Sequence, residues 1–194
     1  MSIKSENTAD KILSSTVDLM SEKGYKAVTI KEIASAASVS EMTVFRTFGS
    51  KKAILDAIIN SYLFSAPIEQ IIQKNITYEL ETDLLMISKL YHDVLKRNKK
   101  IYLISIMERK TMPEIHLSVH NNAVKFLKIV TEYLHTMQQK GKVAKGNPEA
   151  QALTIMRYNY GKFVASTLLE GTASAILDDD LEEAIAIIGR GLKT

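Results

Sequence analysis

The sequence predicts an all-α protein. Only three prolines and eight glycines punctuate 194 residues, of which 46% are hydrophobic, and apolar side chains recur at spacings of three and four along nearly the whole chain. No strand-like alternation, internal repeat or low-complexity tract interrupts that rhythm. The expected architecture is an N-terminal three-helix domain, residues 1–49, containing a helix-turn-helix, followed by a helical bundle, residues 50–194, with about nine helices in total.

The elements follow in order. A first helix is expected over residues 7–23, with Ile12, Leu13, Thr16, Leu19 and Met20 inward and Gly24 as its C-terminal stop. Thr29 and Glu32 form a T-x-x-E capping box, so a second helix starts there with its first amides satisfied. Its stripe of Ile30, Ile33, Ala34 and Ala37 is narrow, and the small alanines allow another helix to come close. Val39 plugs the turn, and Ser40 caps a short third helix that buries Val44 and Phe48 at i and i+4. Gly49-Ser50 forms the expected domain seam, Ser50 caps a helix opening at Lys51, and Pro67 marks a kink or an end. Further helices are expected near 81–97, 99–110, 114–140, 148–171 and 179–191, with Gly141, Gly146 and Pro148 marking one long loop and Asp178-Asp179-Asp180 forming the sole charge run.

Composition narrows the function. Cysteine is absent, which removes disulfides, thiolate chemistry and thiolate-bound zinc. No apolar run approaches a membrane span and the N-terminus lacks a signal-peptide core, so the expected address is the cytoplasm, with no membrane partner. Signatures of hydrolases, P-loop enzymes and zinc proteases are missing, and no enzymatic role is expected. His116 and His120 stand at i and i+4, a spacing that permits two metal bonds, but no third ligand accompanies them; neither a metal site nor a cofactor is expected. A net charge of +3 fits a phosphate-bearing partner without proving one.

The helix-turn-helix leaves Ser40, Glu41, Met42, Thr43, Phe45 and Arg46 off the buried face, free to meet DNA. Thr43 and Arg46 are the first candidates for base edges, because arginine forks onto guanine and a threonine methyl meets thymine; Glu41 and Met42 rank behind them. Thr29 and Lys51 sit at helix N-termini, where amide donors favour phosphate oxygens, and would set register. Two short helices joined by a tight turn also occur in proteins that never touch DNA. The stretch from Ile12 to Ile58, however, resembles the DNA-binding domain of the TetR family of bacterial regulators in order, spacing and residue type. The resemblance is carried by Gly24-Tyr25, Thr29, Ile33-Ala34 with Ala37, Val39-Ser40, Phe45 with Phe48, and Ser50-Lys51. Two positions depart from the family pattern: Ser38 stands where glycine is usual, and Phe45 where a tyrosine hydroxyl commonly reaches a phosphate.

That resemblance implies a ligand-responsive DNA-binding regulator whose second domain binds a small molecule and pairs with a second copy. Candidates for the ligand wall are Tyr62, Tyr91, Met107, Met112, Phe126, Tyr133, Met156, Asn159 and Phe163, an apolar set that points to an apolar or aromatic effector. Candidates for the dimer interface are Leu153, Arg157, Tyr160, Gly161, Val164 and Leu168 with Leu181, Ala184, Ile185, Ile188 and Leu192. The partners implied are a double-stranded DNA operator, a small-molecule effector and a second copy of the chain. Repressor is the expected mode, with activator left open. The competing reading is a helical carrier or interaction module that has lost DNA binding.

Overall fold

The structure is a computed structural model that describes residues 7–63, 68–168 and 180–193. Among them are ten helices: α1 Thr8–Lys23, α2 Ile30–Ala36, α3 Glu41–Phe48, α4 Lys51–Leu63, α5 Ile68–Asn75, α6 Leu80–Arg97, α7 Lys99–Met107, α8 Pro113–Gln139, α9 Pro148–Leu168 and α10 Leu181–Leu192. No strand occurs among the described residues. Pro67, Gly171, Asp178 and Asp179 lie outside them.

The chain packs as two compact units, Met1–Ser65 with Asn98–His120, and Ala66–Arg97 with Asn121–Thr194. In the first, α1 packs on α2, α4 and α7. The apolar stripes of these helices meet in one core that includes Ile12, Met20, Ile33, Ile54, Leu55, Ile58 and Ile104, joined by Val44 of α3 and Ile115 of α8. The seam expected after Gly49 does not coincide with this packing unit, because Ile54, Leu55, Ile58 and Ile59 of α4 are buried in the same core as α1 and α2.

Local chemistry sets the ends of these helices. Asn7 accepts from the Asp10 amide at 2.8 Å and caps α1, while Gly24 closes that helix at φ +79°. Both halves of the Thr29–Glu32 capping box are present. At the other end of α2, the Ser38 amide donates to the Ser35 carbonyl at 3.1 Å and the Val39 amide to the Ala34 carbonyl at 2.9 Å, the paired bonds of a Schellman turn. Ser38 occupies its left-handed position at φ +56°.

In the second unit α6 packs against α5, α9 and α10. Leu84, Ile87, Tyr91, Phe126, Val130, Leu134, Ile155 and Ile185 lie in its core. Gly189 permits the close approach of α10, since a Cβ there would stand 3.0 Å from Glu81 Cγ. Asp83 is buried on α6 but its carboxylate is well supplied: it accepts from the Thr77 amide at 2.9 Å, the Thr77 hydroxyl at 2.7 Å and the Tyr133 hydroxyl at 2.9 Å. The helix α5 was not among the expected elements. Its Ile68, Ile71 and Ile72 keep the three-and-four spacing, but only Ile72 of these is fully buried, and eight residues make a weak periodic signal.

Candidate DNA-binding surface

The exposed side of α3 is prepared by what its other side does. Val44 is buried, Phe48 packs on the first core, and Val39 holds the turn against the same core. Ser40 caps α3 by accepting from the Thr43 amide at 3.1 Å, and the Ser40 and Thr43 hydroxyls lie 2.9 Å apart. The residues between these anchors point outward: Met42 is 76% exposed and Phe45 50%. Ser40, Glu41 and Arg46 are exposed as well, and Thr43 is half-buried. The first turn and one flank of α3 thus present a thioether, an aromatic ring, a guanidinium and two hydroxyls, the donor and apolar types that read base edges in a major groove. Thr47, which sequence reasoning passed over, is exposed one turn beyond Thr43, with its hydroxyl bound to the Thr43 carbonyl at 2.8 Å.

The two flanking phosphate candidates differ. Thr29 is exposed at the α2 N-terminus, and its hydroxyl both accepts from the Glu32 amide and lies 2.9 Å from the Glu32 carboxylate. Hydrogen bonds from Lys23 and then from Thr29 hold the Glu32 carboxyl down at about 2. Lys51 faces inward more than its sequence position implies. Its ammonium donates to the Tyr25 carbonyl at 2.7 Å and the Val28 carbonyl at 2.6 Å, and stands 4.3 Å from the centre of the Tyr25 ring. Two of its three N–H groups therefore fasten the α1–α2 loop to α4, and one stays outside these two bonds. From the other side of that loop, Glu108 accepts from the Tyr25 amide at 2.8 Å. Neither role carried a sequence signal, since both depend on contacts far apart in the chain.

The candidate ligand residues divide between the units. Tyr91, Phe126, Tyr133 and Met156 are buried in the second core, where the Tyr91 and Phe126 rings lie 4.8 Å apart. Phe163 and Asn159 are buried on α9. Met112 instead belongs to the first core, and Met107 is 45% exposed in that same unit. Tyr62 lies on α4, with its side chain outside the described residues. The Tyr133 hydroxyl is committed to Asp83, and burial first and the Asp83 charge second push its phenol well above the ordinary range.

Of the interface candidates on α9, Arg157, Tyr160, Gly161 and Leu168 are exposed, while Leu153 and Val164 are half-buried. On α10, Leu181, Ala184, Ile188 and Leu192 are half-buried, whereas Ile185 is 1% exposed inside the second core and offers no surface to a partner. Ile187, 57% exposed, is the large apolar side chain that α10 presents instead. The α10 stripe is expected at the interface; in the structure Leu181, Ile188 and Leu192 pack, with Ile185, against the second core, each of these three keeping part of its surface accessible. His116 and His120 are both exposed, and no group of three metal-ligating side chains occurs among the described residues. No helix among them is long and apolar enough to cross a membrane.

Comparison with known proteins agrees with this arrangement. Residues 12–58 match the sequence profile of the bacterial regulatory proteins of the tetR family. The uncharacterized HTH-type transcriptional regulator YvkB of Bacillus subtilis is 30% identical over 188 residues, 95% of this chain and 97% of that protein. Among solved structures, the TetR family transcriptional regulator PfmR from Thermus thermophilus superposes with a TM-score of 0.69 at 17% identity, covering 95% of this chain and 100% of that one. The fatty acid degradation regulator FadR from Bacillus halodurans gives 0.67 at 18% identity, covering 96% and 97%. A helix-turn-helix built to the family's spacing, a helical second unit and a relative matching along almost the full chain make this protein a member of the TetR family of DNA-binding transcriptional regulators, and not an enzyme.

Proposed function

We propose that the chain acts in the cytoplasm as a homodimeric repressor, released from its operator by a small molecule. Residues 1–49 would serve as the DNA-binding domain and residues 50–194 as the sensing and dimerisation domain. The observation that carries the DNA half is the exposed face of α3, where Met42, Phe45 and Arg46 point away from a core that grips Val44 and Phe48. Thr29, Ser40, Glu41, Thr43 and Lys51 flank that face; Arg46 and Thr43 are the base readers, and Thr29 with the remaining Lys51 donor sets register on phosphates. Tyr160, Leu168 and Ile187, exposed apolar groups on α9 and α10, support pairing with a second copy through Leu153, Arg157, Gly161, Val164, Leu181, Ala184 and Ile188. A two-fold dimer reads half-sites about 34–36 Å apart.

For the sensor half, the support is an apolar second core with a few buried polar groups, the composition of a small-molecule site. FadR, whose fold is shared, regulates fatty acid degradation by its name. The effector shifts the population between DNA-competent and DNA-incompetent states; a preference of about 100-fold for the second supplies roughly 2.7 kcal/mol of coupling. The test is binding of the purified protein to the DNA upstream of its coding region, titrated against salt beside a random duplex. Specific, salt-sensitive binding by a dimer upholds the reading. Equal affinity for both duplexes and for any upstream fragment refutes it.

A further inference from the structure

The second unit contains a buried polar atom whose bonding is incomplete. Asn159, in the middle of α9, is 2% exposed. Its Nδ2 donates to the Ile155 carbonyl at 2.8 Å and to Ser88 Oγ, on α6, at 3.1 Å. A backbone carbonyl only accepts, so the amide atom facing Ile155 must be the NH2, and the side chain cannot be turned over. Both of its N–H groups are then committed, and Oδ1 is left buried with no hydrogen-bond partner among the described residues. Burying an acceptor without a donor opposes folding, and a donor from outside the chain, an ordered water or a bound molecule, relieves that cost.

The surroundings define what such a partner looks like. Ser88 is fully buried, and Tyr91 follows it by three residues on α6, so the two share a face. Tyr91 packs on Phe126 of α8, and its phenol is pushed up to about 12 by burial and then by Tyr160, which keeps it neutral. Ile155, Met156, Asn159 and Phe163 are the buried side chains along the neighbouring stretch of α9. Asp83, the buried carboxylate of α6, already has a donor on each oxygen, two from Thr77 on Oδ1 and one from Tyr133 on Oδ2.

We propose that Asn159 Oδ1 is the anchoring acceptor of the effector site, and that the effector is a small, uncharged, largely apolar molecule presenting an N–H or O–H donor to it. This rests on the reading of the second unit as a small-molecule sensor. Because the amide has spent its own donors, it rejects a carboxylate or a bare carbonyl at this point, and it matches phenol-type and indole-type groups.

The probes are two matched pairs, indole with N-methylindole and 2-naphthol with 2-methoxynaphthalene, titrated calorimetrically into the full chain. The donor-bearing member of at least one pair should bind about tenfold tighter than its methylated partner, and Asn159→Leu should shrink that ratio to within about twofold. Ser88→Ala leaves Oδ1 in place and should keep the tenfold preference. If Asn159→Leu does not fold, as judged by circular dichroism, Asn159→Ala carries the same comparison. Equal affinities within both pairs, no binding of either pair at millimolar concentration, or a preference that survives loss of Asn159 overturns the proposal. Because these ratios involve no DNA, donor preference without any effect on operator binding upholds the anchor and refutes the effector reading. An effector that releases the operator without a donor preference does the reverse.

Discussion

Ser38 is the clearest place to perturb the helix-turn-helix without touching its DNA face. It occupies the left-handed position of a Schellman turn at φ +56°, and no hydrogen bond from its hydroxyl occurs among the described residues. An L residue held there loses roughly 1–2 kcal/mol to the clash of its Cβ with the backbone. Glycine removes that clash but is freer in the unfolded chain, which takes back about 0.5–1 kcal/mol. Ser38→Gly should therefore stabilise the protein by about 0.5–1 kcal/mol. The chain supplies its own control. Gly141 closes α8 in the same motif at φ +69°, with Lys142 donating to the Met137 carbonyl and Gly141 to that of Gln138, both at 3.0 Å. A Cβ there would meet nothing within 4 Å, so Gly141→Ala isolates the conformational term and should destabilise by a similar amount. Urea unfolding followed by circular dichroism reads both; at a slope of about 2 kcal/mol/M the midpoints should move by roughly 0.25–0.5 M in opposite directions. A neutral or destabilising Ser38→Gly beside a destabilising Gly141→Ala would refute the argument that Ser38 carries strain.

Other expectations concern single contacts. Lys51→Met keeps the stem but removes the ammonium from the Tyr25 and Val28 carbonyls, and should lower unfolding stability by about 1.5–3 kcal/mol; an unchanged urea midpoint would mean that those bonds are idle. Tyr133→Phe leaves one oxygen of the buried Asp83 without its donor and should cost about 1–3 kcal/mol, read in the same assay, where a neutral result would contradict the network. Glu32 has a depressed carboxyl, so its contribution is complete above the unfolded value near 4.5 and fades as pH falls towards about 2. The stability gap between wild type and Glu32→Gln should accordingly be constant from pH 7 to 5 and close on acidification, whereas a gap that widens there has the wrong sign. Arg46→Ala should cost about 1–3 kcal/mol of DNA affinity at one base position and relax preference there, as measured on duplexes substituted base by base.

The elements that declare themselves in a few adjacent residues were legible. Thr29 with Glu32 fixed the start of α2, Ser40 that of α3, and Gly24 and Gly141 the ends of α1 and α8, because each acts within one turn of chain. The exposed set on α3 was equally readable, since burying Val44 and Phe48 leaves Met42, Phe45 and Arg46 outside. What an apolar stripe does not reveal is the surface it will meet. Met112 therefore entered the ligand set although it packs in the first core, and Ile185 entered the interface although it is buried in the second. Lys51 was read as a phosphate contact from its helix-start position, and only the fold brings the Tyr25 and Val28 carbonyls to its ammonium.

Selection of bound duplexes from a random-sequence pool by the full chain tests the central claim most directly. The account expects enrichment of one two-fold symmetric sequence whose half-sites lie about one helical turn apart, with the preference at a base pair in each half-site lost for Arg46→Ala. A pool that stays random after repeated rounds, or an enriched sequence indifferent to Arg46 and the rest of the α3 face, would contradict it.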